Sequence, residues 1–313
     1  MLLFLGHWHR SNFCNATAYA GRLDTNVTSP VLRNPAISMS FLVKILKTAI
    51  DTSEALHVDA DRRAGWADIV AHIAPFPVAT IPTSRTDSAP ITVFTAQEHP
   101  LYFPGSTNPL AFYAMWPGEN VGLGSTPAAI AIARQTVLSL GALGAWSQGN
   151  AFPETFPAAV RAGVDPHIVL SNMTDVITRT MPRNILGKAE GQECAGATQA
   201  VNDMLCSSYG GVLRLFAVWD RAQHDAAFTT LRAKGGLLVS GDVRAGVVGP
   251  VTIVAEQAGG TVTMLSPWAS GKVSVVEAGT GNRVPTTPGK GGEAGTWSWT
   301  VGVEGTAYTV TAG

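Results

Sequence analysis

The stretch GQECAGATQAVNDMLCSSYGGVLRLFAVW, residues 191–219, decides the predicted fold. Its first part predicts a helix over 192–209, because small and apolar residues recur there at helical spacing. Gly210 and Gly211 follow and are typical of a helix C-cap. The next seven residues predict a buried strand in which Arg214 is the one charge. The apolar stripe of the helix consists of Ala197, Ala200, Val201, Met204 and Leu205.

The residues before this stretch predict a succession of helix hairpins. Apolar residues recur at helical spacing in several segments, with Pro127 placed at the first position of one helix and Pro75 and Pro77 just after another. Between them, residues 75–110 are rich in Pro, Thr and Ser and read as a long loop with short strands. The predicted helices are 41–57, 59–74, 125–143, 156–164 and 166–181.

The residues after this stretch predict antiparallel sheets. From about residue 237 the chain alternates apolar and polar residues, and Gly and Pro break the pattern at short intervals. Trp297 and Trp299 alternate with polar residues, so we expect them to face a sandwich core rather than to stack on sugars. The sequence thus predicts an irregular segment (1–33), a helical-hairpin region (34–220) and a β-sandwich (221–313).

Composition excludes some classes of partner. The chain has 313 residues, a net charge of −1 and 14% charged residues, so it lacks the basic surface that binds nucleic acid or an anionic membrane. The apolar run Leu2–Leu5 is shorter than the core of a signal peptide. Localisation stays open, with an extracytoplasmic place expected if the chain is a fragment of a secreted enzyme.

Metal and cofactor sites are not predicted. Cys14, Cys194 and Cys206 do not have the spacing of a metal site. The pair His7 and His9 has no evident third ligand. The serine-hydrolase motif G-x-S-x-G and the P-loop motif are also missing from the sequence.

Several ordered motifs together resemble one family. They are FLVKILKTAIDTSEALHVDADRRAGWADIVAHIAPFP (41–77), NPLAFYAMWPGENVGLGS (108–125), AWSQGNAFPETFPAAVRAGVDP (145–166), QECAGATQAVNDMLCSS (192–208), LRLFAVW (213–219) and LRAKGGLLVS (231–240). With these motifs the chain is similar, over roughly residues 34–270, to the distal half of glycoside hydrolase family 95, the inverting α-L-fucosidase type, in its divergent branch. The resemblance implies an α+β fold in which part of an (α/α)6 six-hairpin barrel precedes a C-terminal antiparallel β-sandwich. It also implies hydrolysis of terminal α-L-fucosyl or α-L-galactosyl linkages in a carbohydrate or glycan substrate, and a missing N-terminal barrel half as a partner.

The resemblance places a candidate catalytic base at a helix start. The family has an acidic residue just before the small-residue helix, and here Gln192 stands in that position with Glu193 beside it. The helix dipole favours the ionised form of Glu193, which suits a base. An equally weighted alternative is that Glu193 only caps the helix. The family's general acid is a Glu after Ser-Pro, whereas this chain has Val31 after Ser29-Pro30.

An inverting glycosidase needs two carboxyl groups roughly 6.5–9.5 Å apart, with water on one side of the sugar. Glu119 and Glu154 lie in the matched motifs beside aromatic residues, where desolvation favours the protonated form that a proton donor needs. The alternative for each is a cap or a loop hydrogen bond. The expected substrate-binding residues are Gln192, Asn120 and Asn150 for hydroxyl groups or water, Trp116 and Trp146 for sugar stacking, with core packing favoured for Trp146, and Arg161 for a buried carboxylate or substrate.

Two other functions remain open from the sequence. Val31 cannot protonate a leaving group, so the chain is alternatively a non-catalytic carbohydrate-binding or structural remnant of such an enzyme. Another barrel-plus-sandwich carbohydrate enzyme, a phosphorylase or a lyase, is a less favoured third interpretation.

Overall fold

A computed structural model describes residues 33–82, 89–98, 110–147, 152–180, 195–289 and 293–313. The chain divides into two compact units. The first comprises residues 1–122 and 127–158, and the second comprises residues 123–126 and 159–313.

The first unit begins with a helix hairpin. Helix α1 (Ala36–Leu56) starts directly after Pro35 and ends at His57, whose φ of 56° reverses the chain. Helix α2 (Arg63–Ala71) follows after a short connection. The predicted second helix began at Asp59, but Asp59 has a φ of 49° and lies outside it, because a left-handed residue cannot continue a right-handed helix.

A strand hairpin and further helices complete the first unit. Strands β1 (Val78–Ile81) and β2 (Ile91–Phe94) pair antiparallel, and helix α3 (Pro127–Ala142) has the predicted proline at its first position. The Phe94 amide donates to Thr136 Oγ1 at 2.8 Å, which ties β2 to α3. Short 3-10 helices cover Leu110–Ala114 and Ala145–Ser147. Helix α4 covers Phe152–Arg161, and its residues up to 158 belong to this unit. Buried side chains of the unit include Phe112, Met115, Val137 and Phe156.

The second unit contains two helices, and the second of them ends earlier than predicted. Helices α5 (Pro166–Thr180) and α6 (Ala195–Leu205) are present, but α6 stops four residues before the predicted end. Strand β3 (Cys206–Ser207) follows the helix directly and pairs antiparallel with β4 (Arg214–Leu215). The predicted C-cap is therefore wrong. Gly210 and Gly211, with φ of 65° and 74°, instead form the turn between β3 and β4, next to a 3-10 helix over Tyr209–Gly211.

Two antiparallel sheets form the rest of the second unit. In chain order the strands are β5 (Ala226–Ala233), β6 (Leu237–Arg244), β7 (Val247–Val248), β8 (Val251–Ala255), β9 (Thr261–Leu265), β10 (Val273–Glu277), β11 (Arg283–Val284), β12 (Thr287–Pro288), β13 (Thr296–Thr300) and β14 (Ala307–Ala312). The larger sheet has the order β11-β10-β14-β8-β6-β5, with β7 beside β6, and the smaller has the order β12-β13-β9.

Side chains from both sheets belong to one hydrophobic cluster. Trp299 is buried in it, and Trp297 packs against it while its Nε1 donates to the Gly271 carbonyl at 2.8 Å. Both tryptophans thus face the core, as the alternation predicts. Helices and antiparallel sheets together make the chain an α+β protein. Other members of the cluster are Val239, Val251, Ile253, Met264, Val275 and Val310.

Within residues 33–313, the described part has no helix that combines the length and apolar character of a membrane span.

Candidate functional site

The predicted site residues fall into three groups. Trp116, Glu119, Asn120, Trp146 and Glu154 lie in the first unit. Arg161 lies in the second unit. Asn150, Gln192 and Glu193 lie outside the described residues, and so does Val31.

The sequence WPGEN forms a tight loop directly after the 3-10 helix of the first unit. The amides of Gly118 and Asn120 donate to the carbonyls of Tyr113 and Ala114 at 3.1 and 2.9 Å. A Cβ at position 118 would collide with the Tyr113 carbonyl oxygen, so the loop needs glycine there. Glu119 has a φ of 61°, a left-handed conformation that this backbone bonding maintains.

Ser40 of α1 anchors both ends of this loop. Its Oγ donates to the Tyr113 carbonyl at 2.6 Å. Asn120 Nδ2 donates to Ser40 Oγ at 3.1 Å and lies 3.2 Å from the Ser40 carbonyl oxygen. The Asn120 amide nitrogen is thus engaged by the scaffold, and its Oδ1 is the atom that suits a sugar hydroxyl or a water donor.

Lys44 lies one turn after Ser40 and contacts the centre of the loop. Its Nζ donates to the Pro117 carbonyl at 2.5 Å and lies 3.4 Å from Glu119 Oε1. The Lys44 and Glu119 side chains are 34% and 16% exposed. Glu119 is therefore a partly buried carboxylate with a cation beside it.

Glu154 is the second carboxyl group of this site. It lies in the first turn of α4 and is 9% exposed. Tyr113 donates its hydroxyl to Glu154 Oε1 at 3.2 Å, and the Tyr113 ring packs edge-on against Phe41. Tyr113 thus contacts Glu154 through its ring hydroxyl and the turn that carries Glu119 through its backbone carbonyl.

Trp146 packs against α3 and α4 and is partly buried. Its ring lies 5.3 Å from the Phe156 ring, measured between centroids, and covers the backbone of Gly141 on α3. Trp116 stands in the WPGEN loop and is also partly buried. The role of either tryptophan in sugar stacking stays a prediction.

Arg161 belongs to a buried charge network in the second unit. Its Nε donates to Asp203 Oδ2 at 3.1 Å, and the two side chains are 6% and 7% exposed. Its guanidinium also lies 4.8 Å from the Tyr209 ring centroid, and Arg214 lies 5.0 Å from the same ring. Arg214 in turn pairs with Glu293 at 2.6 Å. The sequence predicted either a buried carboxylate or the substrate as the partner of Arg161, and in the structure Arg161 contacts the buried carboxylate of Asp203.

This network does not supply a nucleophile at neutral pH. Burial raises the pKa of Tyr209 to about 12, against the opposing effects of Arg214, the Leu123 amide and Arg161. Burial also raises the pKa of the Cys206 thiol to about 12, and the charge of Asp203 adds to that effect. Both groups therefore keep their protons at neutral pH.

Three residues of the loop site were missed from the sequence: Ser40, Lys44 and Tyr113. The available signal was the i, i+4 spacing, which places Ser40 and Lys44 on one face of α1. Nothing in the sequence, however, shows which loop that face contacts. For metal ions, the described ranges contain no cluster of three or more His, Cys, Asp or Glu side chains that fits a site.

Comparison with known proteins leaves the family unassigned. No protein-family profile matches the chain, and no curated protein matches it. Among solved structures, it has a slight likeness to a family 39 glycoside hydrolase from the gut symbiont Bacteroides cellulosilyticus WH2, at 14% identity and a TM-score of 0.22. The match covers 40% of this chain and 20% of the other, so the chain spans about a fifth of that protein. Neither membership of family 95 nor specificity for fucose follows from this likeness.

Proposed function

We propose that this chain is a glycoside hydrolase-like protein of the inverting α-L-fucosidase type, acting on terminal α-L-fucosyl or α-L-galactosyl units. The proposal includes the finer architecture, in which residues 34–220 are part of an (α/α)6 barrel and residues 221–313 are a β-sandwich. Its support is the ordered set of motifs that resemble family 95, together with the loop site of the first unit.

One observation carries the assignment of the site. The hydroxyl of Tyr113 donates to Glu154, and the turn that begins at Tyr113 presents Glu119. Single displacement at a sugar carbon requires one carboxyl group as acid and one as base, and Glu154 and Glu119 are the two described candidates. Trp116 in the same loop offers an aromatic face for a sugar ring.

The reaction can be written with these groups. A water attacks the anomeric carbon, and the bond from that carbon to the leaving oxygen breaks. The buried Glu154 carboxyl gives its proton to the leaving oxygen, and an ionised carboxylate takes the proton of the attacking water. Glu119 is our candidate for that base within the first unit, and Glu193 stays a candidate from the resemblance.

A second function is favoured by a specific observation. Glu119 and Glu154 each bind the scaffold around them, through Lys44 and Tyr113. Such contacts also suit a non-catalytic remnant that holds a sugar without cleaving it, and Val31 at the family's acid position agrees with that alternative.

The test is sugar release by the purified 313-residue chain from aryl α-L-fucosides, aryl α-L-galactosides and fucosylated glycans. Glu154→Gln should lower turnover by about 10²–10⁴-fold, the range for loss of a general acid. Glu119→Gln and Glu193→Gln compare the two candidate bases, and Glu54→Gln, at an exposed position on α1, is the matched control.

Inactivity of wild-type protein that melts cooperatively would reject the hydrolase. Binding of L-fucose to that protein, weakened by Trp116→Ala, would then establish the second function.

A further inference from the structure

Lys44 is the one cation described at the loop site. It follows Ser40 by one helical turn, on the face that α1 turns towards the WPGEN loop. Its side chain is 34% exposed, so it is partly buried against the loop. Lys44 and Glu119 are 75 residues apart in the chain, so tertiary folding alone brings them together.

Two contacts fix the ammonium group of Lys44. The carbonyl of Pro117 accepts from Nζ at 2.5 Å, and this main-chain acceptor cannot rotate away. The charge is therefore held 3.4 Å from Glu119 Oε1. On the other side, the Glu119 amide donates to the Met115 carbonyl at 3.3 Å, which sets the direction of the Glu119 side chain.

We infer that Lys44 is the positioning residue for Glu119: it holds the WPGEN loop against α1 and selects the ionised form of the Glu119 carboxyl group. An opposite charge within about 4–6 Å favours the charged form of a carboxyl group. The catalytic consequence of this contact rests on the proposed function. It makes Glu119 the carboxylate that accepts a proton from water, and it leaves Glu154 as the proton donor of the pair.

The positional part is tested by hydrogen exchange in the loop, which needs no substrate. Lys44→Met removes the charge and keeps most of the side-chain length. We expect the backbone amides of residues 115–122, apart from Pro117, to exchange about tenfold faster in this variant, since hydrogen bonds to charged groups contribute on that scale. Lys44→Arg should restore most of the protection, and Lys47→Met, at an exposed position on the same helix, should leave it unchanged.

The electrostatic part is tested by NMR titration of the Glu119 carboxyl carbon, assigned by its absence in Glu119→Gln. We expect the titration midpoint to move to higher pH in Lys44→Met and to stay in place in Lys47→Met. If Lys44 only stabilised the loop, its replacement would change amide exchange without moving the Glu119 midpoint. If Lys44→Met does not fold, Glu119→Gln removes the same ion pair and must itself speed exchange of the loop.

The outcomes separate this inference from the proposed function. Unchanged exchange, or an unchanged midpoint, in a folded Lys44→Met variant overturns the positioning role, whether or not the chain hydrolyses sugars. Faster exchange with a shifted midpoint establishes it. An additional absence of turnover in the wild-type chain would reject the hydrolase and leave Lys44 as the residue that positions Glu119.

Discussion

Replacing Asp203 by Asn tests the buried network of the second unit most directly. In the folded chain, Asp203 accepts from Arg161 at 3.1 Å and from Gln199 Nε2 at 2.9 Å. The asparagine keeps the size and one acceptor but removes the charge. The Arg161 guanidinium would then be buried without an anion on this side.

The structure sets the size of the effect. Because the Arg161 and Asp203 side chains are 6% and 7% exposed, water cannot replace the lost carboxylate. Removing one partner of such a pair costs about 3–5 kcal/mol. The pair of Arg232 and Glu256 is a matched control in the same unit, since those side chains are 65% and 38% exposed. Exposed pairs contribute little to stability, so Glu256→Gln should leave the unfolding midpoint nearly unchanged.

The assay is urea unfolding of the 313-residue chain at pH 7, followed by circular dichroism. With a slope of about 1–3 kcal/mol per molar urea, Asp203→Asn should lower the midpoint by about 1 M or more. The double variant Arg161→Met with Asp203→Leu should recover much of this loss, because it removes both buried charges. The reasoning is refuted if Asp203→Asn costs no more than Glu256→Gln.

Two further predictions concern stability. The pKa of Cys206 is about 12 in the folded chain against 9.0 for a free thiol, so the unfolded chain releases this proton first. Stability should therefore fall between pH 9 and 12, at up to about 1.4 kcal/mol per pH unit from this group, and urea midpoints of Cys206→Ala should fall less steeply from pH 9 to 11. Gly141→Ala would place a Cβ 2.5 Å from Trp146 Cε2, and overpacking of this kind costs about 1–3 kcal/mol. Gly65→Ala, with no atom within 4 Å of the new methyl, should instead raise the thermal midpoint, and equal effects of the two changes would contradict the packing.

Local patterns determined much of the secondary structure. The start of α3 at Pro127 follows from the fixed φ of proline and its missing amide proton. The strands after residue 237 follow from alternation between two faces of a sheet. Candidate carboxyl groups Glu119 and Glu154 were also visible in the sequence, because each stands beside aromatic residues in a loop or at a helix start.

Contacts between residues far apart in the sequence determined the features that local patterns did not predict. The end of α6 is one example: Cys206 and Ser207 have no strong local preference against the helix, but pairing with Leu215 and Arg214 draws them into a strand. The partner of Arg161 is another, since Asp203 lies 42 residues away. A helical or strand period describes only neighbours a few residues apart.

The loop site also combines local sequence preferences with contacts between residues far apart in the chain. Proline and glycine in WPGEN favour a turn locally, because each restricts or frees the backbone at its own position. Only the tertiary structure decided that Ser40 and Lys44 hold this turn and that Tyr113 connects it to Glu154. These bonds form when packing of apolar faces brings distant segments together, and hydrophobic burial sets that packing without regard to separation along the chain.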